Sequence, residues 1–495
     1  YMEIINVMSY FLKILFLIIL ILFAVQVENP YKIYFKNIPF KMPEIKNPKF
    51  PNYSINIKDF GAIGDGKTLC TLSFINAINT LFERGGGKLI IPSGEWLTGP
   101  IQLKSNINLH LEFGAIIQFS EDEKLYPIIS TSYEGIDTYR CQSPLSATNS
   151  TNIAITGNGV IDGNGDYWRP VKKSHLSNSQ WNQIKKRKYG LIISNKYWVP
   201  NEGFLLAENK EYYNSLKNIC NITELNIYKR FLRPVLLSLR NCKNILLKGV
   251  IFQNSASWNI HILMSENIII DRIFVKNPSY AYYGDGIDID SSKNTLIINS
   301  KFDVGDDGIC IKSGKYGKKQ NLSSENIIID GCTIFSGHSG FAIGSEISGG
   351  AKNIKVSNSQ FLGTENGLKF KSAKGKGGLV EKVYIENISM KDILKYVIIF
   401  DMNYNTKNIS KEFNNKNKKT INNNIEENIP CFRNISIKDI NCNGAKQAMK
   451  FNGLHEMPIY DILLKNINII SDNSCEFNET KSVVLENINI TIKHI

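Results

Sequence analysis

The chain has 495 residues, 43% of them hydrophobic, and a formal charge of +13. This is ample for a large core, and the length implies two to four domains unless the fold is a solenoid or one large β structure. The positive balance suits a polyanionic partner, such as nucleic acid, an anionic membrane or an acidic polysaccharide. The charge is spread along the chain, with no Lys/Arg run interleaved with aromatics, so a nucleic-acid partner is not expected.

In chain order, Lys13 precedes an apolar run from Ile14 to Val25, and polar residues and Pro30 follow. The run is short for a membrane span and right for a signal-peptide core. Residues 1–27 are therefore expected to be a signal peptide, giving a secreted protein with no stable membrane association unless the segment stays as an uncleaved anchor. Residues 28–54 read as an N-terminal extension and 55–495 as one domain. Thr71 to Arg84 carries apolar residues at helical spacing and stops at Gly85-Gly86-Gly87, which predicts a short helix capping the start of the fold. Residues 169–230 form a long excursion without the pattern that follows, on a scale that is usually functional.

That pattern is repetition. Asn244, Asn267, Asn294, Asn326 and Asn353 each introduce a short Ile/Val/Leu-rich run, 23 to 32 residues apart, and similar runs continue at 383–390, 435–442, 462–469 and 483–490. Short strands at fixed period without intervening helices predict an all-β stacked solenoid, a parallel β-helix with about three strands per coil. Asparagine tolerates left-handed backbone, so these residues suit the turns and would stack into a ladder. Residues 403–428 are Asn/Lys-rich and read as a disordered surface insertion. Nine cysteines include no C-x-x-C metal pattern, and Cys310 and Cys332 are expected as buried free thiols. Nine N-x-S/T sequons permit glycosylation.

Two Asp-Gly segments lie one coil apart: Asp285 precedes Gly286, and Asp306-Asp307 precede Gly308. The 21 residues from Asp285 to Asp306 would place them on adjacent rungs, about 5 Å apart. Carboxylates that close repel, so at least one should keep its proton near neutral pH. Glycoside hydrolysis needs that division, an acid for the leaving oxygen and a base for water. His338 follows one coil later in a glycine-rich turn. Lys369 and Lys371 alternate around Phe370 on the next coil, so a strand presents both on one face, where they would suit a carboxylated sugar.

These segments resemble glycoside hydrolase family 28, the polygalacturonases, across residues 38–492. INIKDFGAIGDGKT, GNGVIDGNGDYW and FLRPVLLSLRNCKNILLKGVIFQNSASWNIHIL occur in the family's order. The resemblance implies a right-handed parallel β-helix and single-displacement, inverting hydrolysis of galacturonan (pectin), with no metal or cofactor and, as expected here, a monomer. By position, Asp306 would be the general acid, Asp285 and Asp307 would attend the water, and His338 would help set the cluster's charge. Lys369 and Lys371 would grip the substrate carboxylate, and Tyr404 would line the leaving side. Three departures stand out: Tyr283-Gly284 replaces Asn-Thr before Asp285, Ser339 replaces Gly after His338, and Lys369 replaces Arg, losing a bidentate grip. The 169–230 excursion and the GSEISGG segment resemble the bacterial-type exo-acting branch. Alternatives are a non-catalytic or weakened carbohydrate-binding β-helix, or a pectate lyase-like enzyme.

Overall fold

The computed structural model describes residues 29–209, 222–314, 322–404 and 428–493. The expected signal segment, Cys220 and nearly all of the 403–428 insertion lie outside the described residues. Short β-branched strands pair in parallel with the strand one coil further on, in ladders that wrap a single core. One ladder runs from Leu237–Arg240 and Ile260–Leu263 through β1 (Ile287–Asp290), β2 (Asp307–Lys312), β3 (Ser339–Ile343) and β4 (Asn366–Lys371). A second passes through Lys243–Lys248, Glu266–Asp271, Lys293–Ile298 and Ser324–Asp330. A third passes through Ile251–Gln253, Phe274–Lys276 and Lys301–Asp303. Parallel crossovers within one sheet are right-handed for steric reasons, and the fold is the expected right-handed parallel β-helix.

The repeat works because like stacks on like. Ile153, Ile245, Ile268, Thr295, Ile327 and Ile354 are register partners down one inward column, all buried. Phe370, Phe400, Phe451 and Phe477 form a second column, with successive ring centroids 4.1, 4.7 and 4.8 Å apart. The asparagine ladder is present and longer than the repeats alone suggested. Asn152, Asn244, Asn267, Asn294, Asn326 and Asn353 each donate from Nδ2 to the side chain of the preceding rung's asparagine, starting at Asn106. All seven have φ between 56° and 62°, left-handed backbone that costs other side chains about 1–2 kcal/mol. In Asn294→Ala we expect a loss of roughly 3 kcal/mol, from two ladder hydrogen bonds at about 1 kcal/mol each plus that strain. Asn294→Gly should lose about 1 kcal/mol less, since only the strain is relieved; urea unfolding of the two variants checks the order.

The helix expected over 71–84 is α1 (Thr71–Glu83), with Phe74, Ala77, Ile78 and Leu81 buried against the first coils. It stops where Gly86 passes so close to the Asn106 carbonyl that a Cβ there would sit 2.3 Å from the oxygen. In the N-terminal extension, Tyr31 and Ile45 cover an outward-facing apolar row, Leu246, Ile269, Leu296 and Ile328, and Tyr31 hydrogen-bonds Asp271 at 3.1 Å. The excursion is built rather than irregular: a three-stranded antiparallel sheet (Val171–Lys172, Leu191–Ile193 and Tyr197–Val199) and helices Asn178–Lys185 and Glu202–Glu208. A hairpin that the repeat does not foretell, Ile128–Tyr133 with Ile136–Cys141, packs Tyr133 on Val235 and Trp258 and brings Gly135 against Gly314, just after β2. Its two-residue turn, Glu134-Gly135, has φ of 52° and 72°, the doubly left-handed turn that matches strand twist. Among the described residues, no helix is long and apolar enough to cross a membrane, and Cys310 and Cys332 are buried free thiols.

Candidate active site

Strand register brings the sequence-distant carboxylates together. Ile287 pairs with Ile309, and the Gly286 amide donates to the Asp307 carbonyl at 2.9 Å. The rung partner of Asp285 is thus Asp307. The 21-residue spacing had set Asp285 opposite Asp306, which instead sits at the turn before β2. The slip is one residue, and all three aspartates still offer oxygens within 4.8 Å of one another. The next turn is fixed the same way. The His338 amide donates to the Asp306 carbonyl at 2.9 Å, at a spot where a Cβ on Gly337 would strike that oxygen at 2.3 Å.

Burial separates the three acids. Asp285 and Asp307 are 3% and 0% exposed, whereas the Asp306 side chain keeps 15% of its surface open to solvent. Asp285 is pushed well above the usual carboxylate range by burial first, then by the charges of Asp306 and Asp288. Burial acts on Asp307 in the same direction, but Lys371 and Lys369 outweigh it and hold this group well below that range. Of the three acids, Asp285 is therefore the one whose surroundings most favour the protonated form. His338 Nδ1 lies 2.8 Å from Asp306 Oδ1. Burial alone would lower its pKa, but the hydrogen bond and charge of Asp306 win and raise it. One oxygen of Asp285 and one of Asp307 (Oδ1 in each) find no protein donor among the described residues, leaving an unmet acceptor in each buried acid.

The two lysines do different things. Lys371 is 7% exposed and its Nζ lies 2.6 Å from Asp307 Oδ2; its charge is engaged inside the cluster. Lys369 is less buried, and burial and then Lys371 lower its pKa. Both ammonium groups lie 5.3 Å from the Tyr404 ring centroid, so all three side chains flank the acids on one side. With these lysines and His338 beside it, the acid cluster is poorly suited to a divalent ion, although its oxygens are close enough to hold one.

The unusual residues fit their places. Ser339 is fully buried in register between Asp307 and Asn366. Tyr283, at φ 58°, packs with Tyr133, Val235 and Trp258 and hydrogen-bonds Glu134 at the hairpin tip, tying the Asp285 loop to the hairpin. Sequence reasoning missed the charges beneath the cluster. Lys312 lies 3.5 Å from Asp288 and 3.2 Å from Glu346, with its side chain 5% exposed. Burial raises Asp288 to about 7. Alternation along IDID and ICIK was a usable signal: Asp288, Cys310 and Lys369 share one column facing away from the core.

Similarity to known proteins agrees with this geometry. The chain is 28% identical over 429 residues to a probable polygalacturonase of Vitis vinifera, covering 84% of this chain and 74% of that protein. It is 29% identical over 359 residues to an exo-poly-alpha-D-galacturonosidase of Dickeya chrysanthemi, covering 71% of this chain and 57% of that protein. The crystal structure of a hyperthermoactive exopolygalacturonase from Thermotoga maritima superposes with a TM-score of 0.75 at 31% identity, covering 90% of this chain and 94% of that one. The profile of Glycosyl hydrolases family 28 matches residues 223–492, which hold all three aspartates, His338, both lysines and Tyr404. The chain is a glycoside hydrolase and belongs to that family.

Proposed function

We propose that this enzyme hydrolyses the glycosidic bonds of galacturonan from a chain end, with Asp306 as proton donor and Asp285 and Asp307 attending the attacking water. The observation that carries the reading is the asymmetry of the triad: one partly exposed carboxylate and two buried ones within 4.8 Å, beside paired cations. Burial favours the protonated form of Asp285. Asp306 is the member that can reach a bound glycosidic oxygen, and the cluster is close enough to pass the proton to it. Asp307, held ionised by Lys371, is the better base. Lys369 and Tyr404 face the sugar carboxylate. The course at the anomeric carbon rests on the family likeness rather than on spacing, since most inverting enzymes separate acid and base by about 6.5–9.5 Å.

End-on cleavage is supported by the hairpin. Gly135 packs so tightly on Gly314 that a Cβ on the latter would lie 2.1 Å from it, and Glu134 reaches Tyr283 and Lys312. These contacts set the hairpin against the loop carrying Asp285, where it would stop a polymer from running straight past. The signal-like apolar run from Ile14 to Val25, together with a polymeric substrate, supports action outside the cell that makes it. Incubation with polygalacturonate should release only short products from the earliest times, and proton NMR should show the β anomer forming first, as inversion at an α linkage requires. An early ladder of long oligomers would defeat end-on action. No new reducing ends anywhere between about pH 4 and pH 8 would defeat the hydrolytic reading itself.

A further inference from the structure

The GSEISGG segment and the buried lysine beneath it have no part in the chemistry so far. Lys312 ends β2, and its ammonium sits between Asp288 Oδ1 at 3.5 Å and Glu346 Oε2 at 3.2 Å, 4.7 Å from the Trp258 ring centroid. The other Glu346 oxygen accepts from Ser345 Oγ at 2.7 Å and lies 3.3 Å from Lys376 Nζ. Among the described residues, neither buried Asp288 oxygen has a hydrogen-bond donor within normal reach, so the Lys312 charge is the main group offsetting that carboxylate. A charge this deep is costly unless its neighbours demand it, and here they are the floor of the acid cluster.

Every side of Lys312 presents ionisable groups. Asp307 and Cys310 lie on its own strand, and β1 contributes Asp288 and its register partner Asp290, itself 3.3 Å from His261. Asp285 approaches from the loop before β1, Glu346 from the loop after β3, Lys371 from β4 and Glu134 from the hairpin tip. Acids outnumber cations around it.

We propose that Lys312 is a positioning residue for hydrolysis, a fixed buried charge that holds the floor of the aspartate cluster, with Glu346 as the counter-ion that tempers it. This rests on the hydrolytic reading above. Lys312 does not touch substrate; it acts on Asp285, Asp288 and Asp307, each of which it favours in the ionised form.

The test is the pH dependence of kcat/KM on polygalacturonate, measured beside wild type. Losing a nearby cation raises the pKa of the working base. Lys312→Met should therefore move the acidic limb up by about one pH unit or more, a tenfold loss per unit on that limb, and Lys312→Arg should bring it most of the way back. Glu346→Gln removes a negative charge and should move the same limb the opposite way, which keeps the proposal testable should Lys312→Met not fold. A folded Lys312→Met losing activity equally at every pH, or Glu346→Gln shifting the limb upward, overturns the proposal. A wild type that releases no reducing ends overturns the hydrolytic reading instead.

Discussion

Asp306→Asn is expected to lower kcat on polygalacturonate by at least about a thousandfold, within the range general acid catalysis supplies, while the fold survives. The change is isosteric. Asp306 Oδ1 accepts from the Asp307 amide at 3.0 Å and from His338, and an amide oxygen can keep both bonds. The group is partly exposed, so the lost charge leaves no large buried deficit. KM should hold or fall, because the variant removes a negative charge facing a polyanion. Steady-state kinetics and a thermal melt together decide it. A kcat within tenfold of wild type would remove Asp306 from the donor role, and Asp285, whose pKa burial raises, would take its place.

How much of this could be read beforehand depends on what each feature requires. The solenoid was legible because a stacked fold repeats its own sequence: the asparagines recur because each coil needs left-handed backbone at the same corner. The aspartates were legible because Asp-Gly recurs in register with those strands. The one-residue slip, which pairs Asp285 with Asp307 rather than Asp306, was not, since turn geometry at the coil corner sets it and the spacing alone leaves both options open. The hairpin escaped because its turn is Glu-Gly instead of the usual Asn-Gly or Asp-Gly. Lys312 and Glu346 escaped because their meaning lies in contacts across 34 residues. The division of labour between the lysines had the same cause. Strand alternation puts Lys369 and Lys371 on one face, but only the three-dimensional contact with Asp307 shows that one of them is already engaged.

That engagement has the larger expected consequence. In Lys371→Met, Asp307 is left buried without its cation, and breaking a buried pair by removing one member costs about 3–5 kcal/mol. The pH dependence carries the signature. In wild type, the depressed Asp307 pKa contributes stability that is present above the unfolded-state value and is lost as pH falls through the folded one. Without Lys371 burial dominates, the folded pKa moves above the unfolded value, and the sign reverses: the penalty is complete at high pH and shrinks as acidification neutralises Asp307. The difference in unfolding free energy between variant and wild type should therefore be largest near neutrality and narrow toward about pH 4, near the ordinary aspartate value. Activity should fall with it, since a neutral Asp307 cannot serve as base. Lys369→Met is the contrast. Lys369 is the less buried of the two and is proposed to meet the sugar carboxylate, so KM should rise about tenfold, equivalent to about 1.4 kcal/mol, with a stability loss smaller than that of Lys371→Met. Urea unfolding across pH, beside initial rates, separates the two lysines. If Lys371→Met proves as stable as wild type at neutral pH and only its KM rises, Lys371 is a second substrate contact and Asp307 draws its charge balance from Lys312 instead.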